Sequence, residues 1–219
     1  MENKMRMPVN ILMTIVLLCL MAYTLIGEFA HELLGVVMFI LFGIHHYLNR
    51  RWLMAVFKGR YNPYRTLQTI LVILLCISVT LSALSGIILS RYVFSFLPSF
   101  GSAAIARSVH MVCAYLNYVL MSLHLGLHCN AMMSRMNIKN KGLEKGLQIA
   151  GYLFCAYGVY AFFKRRIAEY LFLMSHFVYF DANEALIFFF IDYLAIMGSF
   201  VFIGNFLAEI VKKLSRKRS

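Results

Sequence analysis

His31 and His45 stand fourteen residues apart, and so do His110 and His124. Each pair lies in an apolar run long enough to cross a membrane. In an α-helix four turns take about 14.4 residues, so fourteen residues return the chain almost to the same face and advance it by roughly 21 Å. Each helix therefore offers two imidazoles on one face, one at each of two depths. Two such helices side by side would carry two bis-histidine sites stacked across a bilayer. Neutral imidazoles on both sides of an iron suit low-spin haem b. A single membrane histidine more often bonds a neighbouring helix or lines a polar cavity. It is the repetition of the spacing that points to haem.

The elements that must position these residues are apolar helices. Hydrophobic residues make up 62% of the 219-residue chain and charged residues only 14%, well below the ~25% usual in soluble domains. Six apolar runs can be drawn, over about 9–26, 28–49, 66–89, 104–129, 147–163 and 184–210, each near or above the roughly 20 residues that a spanning helix needs. The first has no convincing small-residue cleavage site near Leu25–Glu28 and reads as a helix rather than a signal peptide. The expected fold is an all-α integral membrane bundle of about six transmembrane helices in one domain, 1–219. There is no Pro/Gly/Ser-rich linker and no internal repeat.

The net charge of +12 does not argue for nucleic acid, because the basic residues sit in the gaps between apolar runs. With the N-terminus inside, Lys4, Arg6, Arg50, Arg51, Lys58, Arg60, Arg65, Arg135, Lys139, Lys141, Lys145, Lys212, Lys213, Arg216, Lys217 and Arg218 fall on the inner side. Only Arg91, Arg107, Lys164, Arg165 and Arg166 fall outside. That bias predicts N-in and C-in, with the cluster at 164–166 as its awkward member. In residues 164–182, Ile167, Leu171, Met174 and Val178 recur at helical spacing among polar neighbours, which predicts an interfacial helix before the last span.

On this topology the second and fourth helices run parallel, so His31 and His110 share the outer leaflet and His45 and His124 the inner one. Gly35 and Ala114 follow His31 and His110 by four residues and leave room for a flat macrocycle, although ordinary helix packing also favours small residues. Arg107, one turn before His110, could pair with an outer propionate, and Arg50 or Arg51 with an inner one; each also serves as a topology signal. His46 points about 100° from His45. His128, one turn beyond His124, is the alternative inner ligand, or it bonds a propionate or lines a quinone pocket. His176 reads as a surface contact. Cys19, Cys76, Cys113, Cys129 and Cys155 are scattered, with neither CxxC nor CxxCH, which argues against covalent haem attachment and against an iron–sulfur cluster.

Four stretches resemble the flavinylation-associated cytochromes, small bacterial membrane proteins first grouped as a domain of unknown function. They are HELLGVVMFILFGIHHYLNRRW (31–52), FKGRYNPYR (57–65), HMVCAYLNYVLMSLHLGLH (110–128) and YGVYAFFKRRIAEYLFLMSHFVYFDANEALIFFFIDYLAIMGSFVFIG (157–204). The resemblance implies a b-type cytochrome of the bacterial cytoplasmic membrane that moves electrons to an extracytosolic protein carrying covalent FMN. By position, His31, His45, His110 and His124 would ligate two non-covalent haem b groups, and His128 matches the family's HxxxH. No DGxTGAT-like attachment motif is present, so the FMN is expected on the partner. The donor would be a cytosolic protein, such as an acidic flavodoxin or ferredoxin, or a membrane quinone. Rival readings are a quinol-oxidising or ferric-reducing cytochrome, a proton or ion transporter using Asp192, Glu32 and the histidines, and a non-redox scaffold.

Overall fold

The apolar runs do form helices. The structure, a computed structural model, describes residues 2–58, 61–98, 101–133, 141–181 and 184–216, and among them it is all-helical. The helices are α1 (Glu2–Met21), α2 (Tyr23–Ile26), α3 (Glu28–Leu48), α4 (Arg50–Val56), α5 (Pro63–Leu89), α6 (Ala103–Met133), α7 (Lys141–Lys164), α8 (Ile167–Leu171) and α9 (Leu186–Arg216). Arg60, Arg135, Lys139, Lys217 and Arg218, counted above among the inner basic residues, lie outside the described residues.

Among the described residues five helices are long and apolar enough to cross a membrane: Glu28–Leu48, Pro63–Leu89, Ala103–Cys129, Lys145–Lys164 and Leu186–Ser215. The first run is shorter than the sequence suggested. Its apolar helical part is Met5–Met21, because the chain breaks at Ala22 and again at Gly27, whose φ of +82° favours glycine. Side chains such as Ile40, Ile77, Leu153 and Phe206 stay exposed on the helix faces. In water that much apolar surface would be costly; in lipid it is the expected outer coat. The chain is thus a multi-pass, all-helical membrane protein.

Local chemistry sets the helix ends. Asn62 caps α5 by accepting from the Arg65 amide at 2.8 Å, with Pro63 in the first turn. Asn49 ends α3, its Nδ2 donating to the His45 carbonyl at 2.8 Å. Arg6 Nη2 donates to the Leu48 carbonyl at 2.9 Å, tying the start of α1 to the end of α3.

Helix α6 runs through the centre, with α5 on one flank and α9 on another, and α7 packs outside α9. Glycines allow these approaches. A β-carbon on Gly126 would overlap the Val201 carbonyl, one on Gly204 the Leu123 carbonyl, and one on Gly158 the Ala195 carbonyl and the Ser199 hydroxyl. Backbones meet directly there. The main core joins Leu17 and Leu18 of α1, Met111, Tyr115 and Tyr118 of α6, Ile167 and Tyr170 of α8, and Tyr193 and Ile196 of α9. Helices α1 and α3 form a second unit through Val9, Met13, Val16, Leu41 and Leu48. The close backbone contacts of α3 go to α1, α2, α4 and α5 rather than to α6.

The expected interfacial helix over 164–182 is not formed: after α7 ends at Lys164, the helical stretch among the described residues to 181 is Ile167–Leu171. Arg166 and Leu173 adopt left-handed backbone, φ 55° at each, which interrupts the helix on both sides. Ile167 and Tyr170 are buried in the core instead of facing lipid headgroups, and the Tyr179 amide donates to the Tyr170 hydroxyl at 2.9 Å, folding the chain back. The basic cluster explains the turn. Asp192, fully buried in α9, accepts from Lys164 Nζ at 2.9 Å, Arg165 Nε at 2.8 Å and the Tyr157 hydroxyl. Arg165 also binds Glu184 at 2.8 Å. A buried carboxylate in an apolar helix must be paired, and this requirement draws Lys164 and Arg165 inward.

Candidate functional site: two histidine clusters between α3 and α6

At the end of the molecule where α3 and α6 begin, the His31 and His110 rings lie 6.0 Å apart between centroids, with planes at 72°. His110 Nδ1 lies 2.9 Å from the Ser82 carbonyl and 3.3 Å from Ser85 Oγ. A carbonyl can only accept, so Nδ1 donates and Nε2 keeps its lone pair. Metal-binding histidines are commonly held this way. Gly86 lets the ring lie close to α5, since a β-carbon there would come within 3.3 Å of His110 Cε1. His31 packs edge-on against Tyr23 at 5.0 Å, and its buried Nδ1 has no hydrogen-bond partner.

Glu32 fixes the chain beside this pair. It accepts from Ser90 Oγ at 2.7 Å and from the amides of Arg91 at 2.7 Å, Tyr92 at 3.1 Å and Val93 at 2.8 Å. The segment leaving α5 is thereby clamped to the first turns of α3. Sequence reasoning gave Glu32 only to an ion path; an acidic residue beside a site histidine was the available signal. Arg107, one turn before His110, is exposed and makes no ion pair among the described residues.

At the opposite end four histidines gather. His124 lies near enough to His128, His45 and His46 for each to affect it electrostatically, and the His124 and His128 rings are 5.1 Å apart. Their ring nitrogens are engaged differently. His46 Nδ1 donates to the Phe42 carbonyl at 2.9 Å, while Nε2 faces Cys76 Sγ at 3.5 Å. His128 Nε2 lies 3.4 Å from Gln68 Nε2. His45 Nδ1 meets Asn10 Oδ1 at 2.9 Å, which again leaves Nε2 with its lone pair. His124 Nδ1 is buried without a partner. His45 thus keeps its Nε2 lone pair, His46 is turned into α5, and His124 and His128 stand one turn apart on α6. Arg50, paired with the Tyr47 carbonyl at 3.1 Å and lying over the Tyr47 ring at 4.4 Å, stays near the end of α3.

Between the two clusters, Met38 of α3 and Met121 of α6 pack against the same two cores. Met38 stands midway between His31 and His45 on α3, and Asn117, which accepts from the Ser78 hydroxyl, midway between His110 and His124 on α6. His176 lines a surface hollow with Arg166, Glu169 and Tyr179 and belongs to neither.

The donor set can be tested against haem. Imidazole–metal bonds are about 2 Å long, so two imidazoles sharing one metal place their ring centroids about 6 Å apart. His31 and His110 stand at 6.0 Å. Among the described residues no three His, Cys, Asp or Glu side chains converge as a metal-binding group. A metal brought with four macrocycle nitrogens needs only two protein ligands; the His31 end offers two imidazoles and the other end four, two on each helix. The residues fit a haem better than a bare ion. The chain matches no family model, no curated protein and no solved structure.

Proposed function

We propose that the chain is a di-haem b-type cytochrome that carries electrons across a membrane. The observation that carries this reading is the His31–His110 pair, with ring centroids 6.0 Å apart on two helices whose backbones do not pack closely; the same fourteen-residue spacing on each helix leads to His45 and His124. Haem, when bound, supplies reversible one-electron exchange. The chain's own part is positional. His31 and His110 would hold one group, and His45 and His124 the other, with His128 as the alternative to His124. Ser82 and Asn10 hold the Nδ1 protons of His110 and His45.

Two sites about 21 Å apart along the helices divide a hydrocarbon layer of roughly 30 Å into shorter electron steps. In the orientation set by the basic residues, α1 adds a sixth crossing and the His31 end faces outward. The acceptor in this reading is an extracytosolic protein bearing covalent FMN, and the donor is a cytosolic protein or a membrane quinone. Both carboxylates of the ion-path alternative are engaged in structural contacts: Asp192 with Lys164, Arg165 and Tyr157, and Glu32 with the chain at 90–93.

Pyridine haemochrome analysis of the purified protein should give two acid–acetone-extractable haems per chain. A colourless protein, or one haem per chain, overturns the reading. In liposomes with a reductant sealed inside, reduction of an external flavinylated partner should require haem-loaded protein and fail with His31→Ala or His110→Ala. Equal rates with those variants would defeat the conduit.

A further inference from the structure

Asn10 is out of place. It lies within the apolar helix α1, on an exposed face, where a side-chain amide facing lipid is unfavourable unless it finds a partner. Its side-chain oxygen meets His45 Nδ1 across the α1–α3 contact at 2.9 Å. The register of that contact is held on both sides. Val9 and Met13 pack with Leu41 and Leu48, and Arg6 binds the last carbonyl of α3. The Thr14 hydroxyl bonds the backbone carbonyl of Asn10 at 2.9 Å, leaving the amide for His45.

We propose that Asn10 is a positioning residue for the His45 site: its side-chain carbonyl takes the Nδ1 proton of His45, fixing the tautomer and the ring so that Nε2 faces α6. This rests on the haem reading above. The two ends then differ in kind. His110 is held by a backbone carbonyl, that of Ser82, which no substitution removes, whereas His45 is held by a side chain. A hydrogen bond accepted from Nδ1 raises the basicity of the ligating nitrogen and favours the oxidised metal. Removing Asn10 therefore raises the midpoint potential at the His45 end alone.

The test is a redox titration of the purified haem-loaded protein followed by α-band absorbance, with His110→Ala used to assign the wave that remains to the His45 end. Asn10→Leu should move that wave upward, leave the His31-end wave in place, and weaken haem retention at the His45 end by about 10-fold or more. Asn10→Gln, which keeps a carbonyl acceptor, should restore much of both. Thr14→Val should change neither. The unmoved His31-end wave reports that the fold is intact, and loss of the His45-end haem alone in Asn10→Leu also supports the proposal. If Asn10→Leu leaves potential and retention as in wild type, or shifts the His31-end wave instead, Asn10 has no such role. A wild-type protein without haem would sink the underlying reading, whereas a haem-loaded protein indifferent to Asn10 sinks this inference alone.

Discussion

The glycines at the α6–α9 and α7–α9 contacts and those on α3 are placed in opposite ways. In the half built from α6, α7 and α9, Gly126, Gly158 and Gly204 sit against backbone carbonyls, and a single added β-carbon has nowhere to go. On α3, Gly35 and Gly43 have nothing within 4 Å of where a β-carbon would stand. One half is packed backbone to backbone and tied by a buried ion cluster; the other presents its histidines across a looser gap. The dense half holds α6, which carries His110 and His124, against α9; on α3, Gly35 leaves open space one turn from His31, which is what the haem proposal requires there.

The largest expected effect lies in the dense half. Asp192 is fully buried with Lys164 and Arg165 on its carboxylate. Asp192→Ala would leave those cations without their shared anion and should cost about 3–5 kcal/mol, the range seen when one partner of a buried pair is removed. Thermal unfolding in detergent would show a large drop in Tm. An unchanged Tm would mean that the cluster does not hold α7 to α9.

The glycines come next and test the contrast directly. Gly126→Ala forces α6 away from α9 and should destabilise by about 1–3 kcal/mol, as overpacking does. Gly35→Ala should be neutral or slightly stabilising, because alanine favours the helix by about 1 kcal/mol and no neighbour opposes the methyl. Equal losses in the two variants would erase the distinction between the halves.

Much of this arrangement was legible in the sequence, because hydropathy over twenty residues is a strong signal and the histidine spacing survives folding. The runs around 66–89 and 104–129 correspond closely to α5 and α6. What was hidden depended on contacts between distant residues. Lys164 and Arg165 looked like misplaced topology signals because Asp192, their partner, stands more than twenty-five residues later. The spacing of Ile167, Leu171, Met174 and Val178 suggested a surface helix, yet the pairing of Arg165 with Glu184 and the left-handed backbone at Arg166 and Leu173 end it after five residues. Asn10 gave no local pattern at all, and Glu32 only its place beside His31. His46 and His128 stayed open in the sequence; the contacts of His46 with the Phe42 carbonyl and Cys76 turn it away from His45.

A third variant asks whether the open half is open for a purpose. Gly35→Phe should leave the fold intact by thermal unfolding, since a β-carbon at this position meets no neighbour within 4 Å. Lying one turn from His31, the ring would occupy the space beside that imidazole, and the haem count should fall from two towards one with the His31-end spectrum lost. Retention of both haems would show that the macrocycle at this end does not lie over Gly35.

The smallest effect is expected at Arg107. Its side chain is exposed and free of ion pairs among the described residues, so Arg107→Gln should change neither Tm nor haem content. Its charge still lies one turn from His110. Reduction adds one negative charge to the site, and a nearby cation favours that state. Losing the cation should therefore lower the midpoint at the His31 end and leave the His45 end unmoved. Because the guanidinium is exposed, the shift should be small and should shrink further as salt is raised, with the Debye length falling from about 10 Å at 0.1 M to about 3 Å at 1 M. Titrations at the two ionic strengths separate this screened interaction from a direct, salt-resistant propionate pair. A shift that persists at 1 M salt would mean that Arg107 turns inward onto the bound group, and the outer site would then be less open than the gap beside α3 indicates.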